Sequence, residues 1–145
     1  MHGDRGAGVT VMNTALRRLL GTLQPRSNAG VYAFVTVPGD FDAVALQPLA
    51  IFREREATTL VIEESRASAA GLPIRFRAAW LTLDVHSDLA AVGLTAAVAS
   101  ALAGAGIACN VIAAAHHDHL FVPLDAADAA LAVLIALQRS AANDR

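Results

Sequence analysis

Val85-His86-Ser87-Asp88-Leu89-Ala90-Ala91-Val92-Gly93-Leu94-Thr95, followed by an Ala-rich run and then by Gly104-Ala105-Gly106-Ile107-Ala108-Cys109-Asn110-Val111, decides the fold. A strand ends at His86 and a polar turn follows it. Gly93 opens a helix over 93–105. In it Leu94, Ala97, Val98, Ala101, Leu102 and Ala105 recur at i, i+3, i+4, i+7, i+8 and i+11, so they share one stripe. Gly104 and Gly106 close the helix, and the next strand starts at Ile107. A connection between parallel strands that passes through a helix crosses over right-handedly, which places Leu83 and Ile107 in one sheet.

Working outward, 76–86 reads as a long strand. Leu81, Leu83 and Val85 face one way, and Trp80, Thr82, Asp84 and His86 the other. Residues 107–115 read as a buried strand, with Leu120, Val122 and Leu124 on its hairpin partner. Asp125 is the expected cap of a last helix, with Asp128 near its positive end and Arg139 near its negative one. Towards the N-terminus, 1–10 is Gly-rich without a hydrophobic period and reads as a tail. Asn13 is the expected N-cap of a helix carrying Leu16, Leu19, Leu20 and Leu23 on one stripe, with Pro25 as its stop. Val31, Ala33, Val35 and Val37 alternate with Tyr32, Phe34 and Thr36 in a strand with both faces partly buried. Pro38-Gly39-Asp40 ends it, and a loop follows to Pro48. Two β-rich runs, 49–54 and 58–63, flank a hairpin turn at Arg55-Glu56-Ala57. A short helix over 64–70 ends at Gly71, where a left-handed residue belongs, and Pro73 follows.

The order is αβββα and then βαββα. This predicts an α+β chain of ferredoxin-like βαββαβ units, the second short of its final strand. Two tandem lobes that complete each other's antiparallel sheets satisfy it. The expected division is a tail over 1–12, a first lobe over 13–75, a second over 76–139 and a tail over 140–145.

Composition removes several function classes. The 145 residues are 55% apolar, only 17% charged, and carry a formal net charge of −2. With no basic stripe, a nucleic-acid partner is not expected. No apolar run reaches the roughly 20 residues of a membrane span. All eleven basic residues are Arg, so neither a Schiff-base lysine nor a P-loop lysine exists. One cysteine forms no internal disulfide, which fits a reducing, cytoplasmic setting.

The run from His86 to Val98, with Gly106-Ile107-Ala108-Cys109-Asn110-Val111 and His117-Asp118-His119-Leu120-Phe121-Val122-Pro123, resembles a family of small bacterial tandem ACT-domain proteins without an assigned function. Gly30-Val31-Tyr32-Ala33-Phe34 and Ala50-Ile51-Phe52-Arg53-Glu54 share the resemblance, which covers about 13–137. It implies two ACT-like lobes, a regulatory rather than catalytic role, and an amino acid or related small molecule as ligand. The implied ligand positions are the first β–α turn and the start of the next strand. Here these are Ser87, Asp88, Leu89, Val92, Gly93, Leu94 and Thr95, with Ile107, Ala108 and Asn110.

The residues themselves allow that site and a plainer reading. A helix N-terminus offers unpaired N–H groups to a carboxylate, Asp88 suits an ammonium group, and Asn110 both donates and accepts. Equally, Ser87 or Asp88 caps the helix, Gly93 packs closely and Asn110 satisfies nearby backbone. His116-His117-Asp118-His119 has metal-ligand residue types, yet alternation puts His117 and His119 on one face and His116 and Asp118 on the other. His86, His117 and His119 are the alternative metal set, and a polar hairpin tip is the plainer reading. Cys109, in an apolar run, reads as a buried inert thiol. Arg53 to Glu56 read as a solvated hairpin. Three functions follow: a non-enzymatic amino-acid-binding ACT protein needing no cofactor, a metal-dependent enzyme using the histidine cluster, and an oligomerisation module without ligand. The first is preferred. Open sheet edges near Ile107 to Val111 and an apolar helix over 93–105 predict a homodimer.

Overall fold

The computed structural model describes residues 14–86 and 88–143. The strands are β1 (Gln24–Ser27), β2 (Tyr32–Val37), β3 (Ala50–Arg53), β4 (Thr58–Glu63), β5 (Phe76–Asp84), β6 (Asn110–Ala113) and β7 (Asp118–Pro123). The helices are α1 (Thr14–Gly21), α2 (Glu64–Ala69), α3 (Leu94–Gly104) and α4 (Ala127–Asn143). One antiparallel sheet holds all seven strands in the order β3-β4-β2-β5-β7-β6, with β1 also laid against β5.

The strand β5 joins the two lobes. Its first residues pair with β2, as in Phe34 with Phe76 and Tyr32 with Ala78. Its later residues pair with β1, from Ser27 with Leu81 to Gln24 with Asp84. Its other edge pairs with β7. It is therefore the fourth strand of a first lobe, β3-β4-β2-β5, and the first strand of a second, β1-β5-β7-β6. The final strand missing from the second unit arrives from β1, a segment whose sequence reads as a helix stop and linker. Pro25 hid it, yet β1 pairs with β5 alone, so the absent Pro25 N–H can lie on the open side. The helix ends earlier, at Gly21, through a turn closed by Leu23 N–H on the Leu20 carbonyl at 3.2 Å.

Other expectations shift at the ends of elements. Residues 107–115 are not a buried strand: β6 covers Asn110–Ala113, is an outer strand, and exposes both its end residues. Asp125 lies inside a 3-10 turn, Leu124–Ala126, that leads into α4. The helix α4 runs through 140–143, read from sequence as tail, and Ala141 is buried in the core. Residues 14–27 pack on the second lobe rather than the first, since Leu20 and Leu23 lie among Leu81, Leu83, Val98 and Leu134. The Asn13 cap, the expected N-terminal tail and Ser87 lie outside the described residues.

Alternation sorts the sheet into two faces. Ala79, Leu81, Leu83, Leu120 and Val122 meet α1, α3 and α4 through Leu20, Leu94, Val98, Leu102 and Leu134. Ala33, Val35, Val37, Leu60 and Ile62 meet α2 through Ala67. Among the described residues no helix side chain joins the cluster on the opposite face, where Tyr32, Val61, Ala78 and Phe121 are buried beside Phe34, Phe76, Trp80 and Ile112. The sheet covers this face itself by curling. Leu49 and Ala50 at one edge and Ile112 and Ala114 at the other line a common hollow.

Candidate functional site

The turn between β5 and α3 is built by three local features. The Asp88 carboxylate accepts the Ala90 N–H at 3.1 Å, and the Asp88 carbonyl accepts the Ala91 N–H at 2.9 Å. Gly93 then flanks α3 with φ of +105°, a left-handed value that side chains resist. A Cβ at Gly93 would stand 2.8 Å from Leu16 Cδ2, so α1 packs directly on this backbone. The demand for glycine here thus arises from conformation and helix packing. Leu94 enters the core, whereas Leu89 and Val92 stand 67% and 89% exposed.

Beneath the first turn of α3 is a small hollow of 40 Å³ lined by Asp88, Leu89, Ala91, Leu94, Thr95, Ala113 and Asp118. Asp118 is 8% exposed, and burial pushes its carboxyl above the usual aspartate range while charge on His119 opposes the shift. Strand alternation explains this placement: Asp118 pairs with Leu83 and shares its helix-facing side. The sequence reading puts Asp118 on the face opposite His117 and His119 and gives it no role beyond the histidine cluster. The signal was its phase, opposite to His117 and His119.

Ile107, Ala108 and Asn110 do not join this hollow within one chain. The strand β6 runs parallel to β5 with β7 between them, so Ala113 ends level with Leu83 while Asn110 pairs with Phe121, level with Trp80. The expected Asp88–Asn110 pocket is therefore absent from the single chain. Ile107 instead gives its N–H to the Leu102 carbonyl at 3.0 Å, closing α3. Cys109 is partly rather than fully buried, and burial raises its thiol pKa.

On the other face a chain of polar contacts links β1, β5 and β7. Arg26 Nε donates to Asp84 at 2.7 Å and Arg26 Nη1 to Asn28 Oδ1 at 2.8 Å. Asn28 Nδ2 donates to Thr82 Oγ1 at 2.8 Å, and Thr82 Oγ1 lies 3.2 Å from His119 Nδ1. Trp80 Nε1 donates to that same nitrogen at 3.1 Å. The Arg26 hydrogen bond and charge, with charge on His117 and His119, hold the Asp84 carboxyl low. His117 Nδ1 is 3.2 Å from Asp84 without hydrogen-bond alignment. His117 and His119 do share a face, with ring centroids 6.4 Å apart. His86 lies with His116 and His117 at a separate open hollow. The three histidines weighed as metal ligands do not converge: among the described residues no group of three or more His, Cys, Asp or Glu is placed to hold a metal. A further hollow, 530 Å³ between α1 and α4 beside Arg17 and Arg18, shares no lining residue with either site. Among the described residues no helix is long and apolar enough to cross a membrane.

Comparison with known proteins gives this geometry a family. One ACT-domain model matches residues 13–79 and a second matches residues 75–136. The chain is similar to a solved Vibrio cholerae protein of unknown function, VC0802, described as a possible transport protein. That likeness has 45% identity and a TM-score of 0.80, covering 86% of this chain and 97% of that one. It is also similar to the regulatory subunit of aspartate kinase from Thermus flavus, at 12% identity and a TM-score of 0.56, over 78% of this chain and 95% of that one. Against Escherichia coli aspartokinase III, solved with aspartate and ADP, the identity is 13% and the TM-score 0.56, over 79% of this chain and 32% of that one. No curated protein matches it. The two successive models and the 45% identical relative, laid on two lobes that share β5, make the chain a tandem member of the ACT-domain family.

Proposed function

We infer that this protein is a non-enzymatic regulator that binds an amino acid at the β5–α3 turn and works as a homodimer. One observation carries the reading: a buried carboxylate, Asp118, lies in the same hollow as Asp88, under the start of α3. An amino acid has complementary ends. Its ammonium group suits the two carboxylates, and its carboxylate suits the first-turn N–H groups, which have no partner within the helix. The 40 Å³ hollow is smaller than an amino acid; exposed Leu89 lines it, and exposed Val92 lies further along the same turn. A second copy closing over the turn enlarges and completes the site, and its Ile107, Ala108 and Asn110 are the residues it brings. The family membership and the aspartate kinase regulatory likeness support a regulatory ligand-binding role.

The test is a thermal-shift screen against the twenty amino acids. A ligand that binds only the native state raises the midpoint in proportion to occupancy. The expected result is one or a few related amino acids that shift the wild type and fail to shift Asp118→Asn. No shift by any of the twenty overturns the amino-acid reading and favours the oligomerisation module.

A further inference from the structure

We propose that the hollow enclosed by the curled sheet is a second, separate ligand site, for a small uncharged molecule with an apolar body and one hydrogen-bond acceptor. It lies on the face without helices, away from the β5–α3 turn. Among the described residues its walls are Leu49, Ala50, Ile112 and Ala114 from the two sheet edges, with Trp80, Phe121 and His119 between them. Its volume is 160 Å³. A dry apolar cavity of roughly 150 Å³ accommodates a molecule the size of benzene.

The chemistry of the walls selects the ligand. No carboxylate, guanidinium or ammonium group is among them, so an ion entering the hollow would lose its water without gaining a counter-charge. The one titratable wall residue is His119, and its tautomer is fixed. An indole N–H only donates, so the Trp80 contact at 3.1 Å makes His119 Nδ1 an acceptor and puts the ring proton on Nε2. The Nδ1 side is closed further by Thr82, which accepts from Asn28, itself held by Arg26. Burial first, and then the charge of His117, lower the pKa of the ring; Asp118 opposes this, and Arg26 and Asp84 add smaller effects of opposite sign. His119 Nε2–H is then the donor that a ligand oxygen accepts, with Trp80 and Phe121 packing on its apolar body.

Trp80 is the only tryptophan in the chain, so its emission reports directly from the wall. The experiment titrates the full chain with cyclohexanol, and in a parallel arm with cyclohexanecarboxylate, at about pH 7.5, above the ordinary histidine range. The expected result is a saturable change in Trp80 emission with cyclohexanol, and binding at least about tenfold weaker for the carboxylate, whose charge stays unpaired. Ala114→Leu, which fills the hollow, should abolish the response with the far-ultraviolet dichroism unchanged. Ala50→Val serves the same purpose if that variant does not fold. His119→Phe should retain the hollow and weaken cyclohexanol binding. A response that never saturates, that survives both filling variants, or that is equal for the carboxylate overturns the proposal.

Discussion

At the scale of single residues, Asp118 and Gly93 show how one observation separates packing from chemistry. Asp118 has its carboxyl pKa raised, chiefly by burial. For an acid with a folded pKa above its unfolded one, the native state binds the extra proton. That contribution to stability is complete below the unfolded value and is lost as pH rises through the folded value. At neutral pH the charged, desolvated carboxylate is therefore a cost in the free protein. Asp118→Asn should raise the stability of the ligand-free chain at pH 7 by on the order of 1 kcal/mol, and the gain should shrink on acidification. Urea titrations at several pH values check it, and a variant less stable than wild type at pH 7 contradicts it. At Gly93 the expected effect has the opposite sign. A side chain meets both a φ of +105° and Leu16, so Gly93→Ala should cost roughly 1–3 kcal/mol whether or not a ligand exists. Weakened binding in a Gly93 variant therefore does not locate a ligand. Thermal unfolding in buffer alone measures the cost, and an unchanged midpoint would show that the turn adapts.

Among the elements, β1 was the one hidden by the sequence, and the reasons are physical. Gln24-Pro25-Arg26-Ser27 has no hydrophobic alternation, because a strand bonded on one side and exposed at three of its four positions needs none. What fixes it is the ladder to β5, together with Arg26 reaching Asp84 and Asn28 reaching Thr82. The segments that were legible, β2, β4, β5 and α3, bury one or both faces and therefore carry their period in the sequence. The face of Asp118 was legible from strand alternation, opposite His117 and His119; its burial was not, because a polar run at a hairpin tip does not tell which of its two faces is covered. The helix α1 follows β1 in importance, since Leu20 is fully buried between the sheet and α4. Leu20→Ala should destabilise the chain by about 2–5 kcal/mol, the range for a buried leucine cavity. Because β5 serves both lobes, the loss should lower the midpoint of a single unfolding transition. Two separate transitions by calorimetry would show that the lobes unfold independently.

For the whole molecule, the proposed homodimer depends on which surface would join two copies. One argument for a dimer, an incomplete second sheet, is removed by β1, which supplies the missing strand. The outward face of α3 offers mainly small or polar residues, with Thr95, Ala96, Ser100 and Ala103 exposed. Among the described residues the large apolar side chains left in solvent fall in three places. Leu89 and Val92 lie on the β5–α3 turn, Ile51 and Phe52, 50% and 70% exposed, lie on the outer strand β3, and Phe41, Val44 and Leu49 lie on the segment between β2 and β3. Each is a candidate, since exposed apolar groups of this size mark contacts. The turn is favoured here because the hollow beside it is too small alone and because closed two-fold pairing lets each copy complete the other's site. The expected mass by light scattering is then twice the 15.0 kDa of one chain. Val92→Asp should yield monomers and lose the amino-acid thermal shift together, whereas Phe52→Asp should remain dimeric and keep the shift. If Phe52→Asp separates the copies and Val92→Asp does not, β3 is the interface and the ligand site belongs to one chain. A wild-type mass of 15.0 kDa refutes both arrangements.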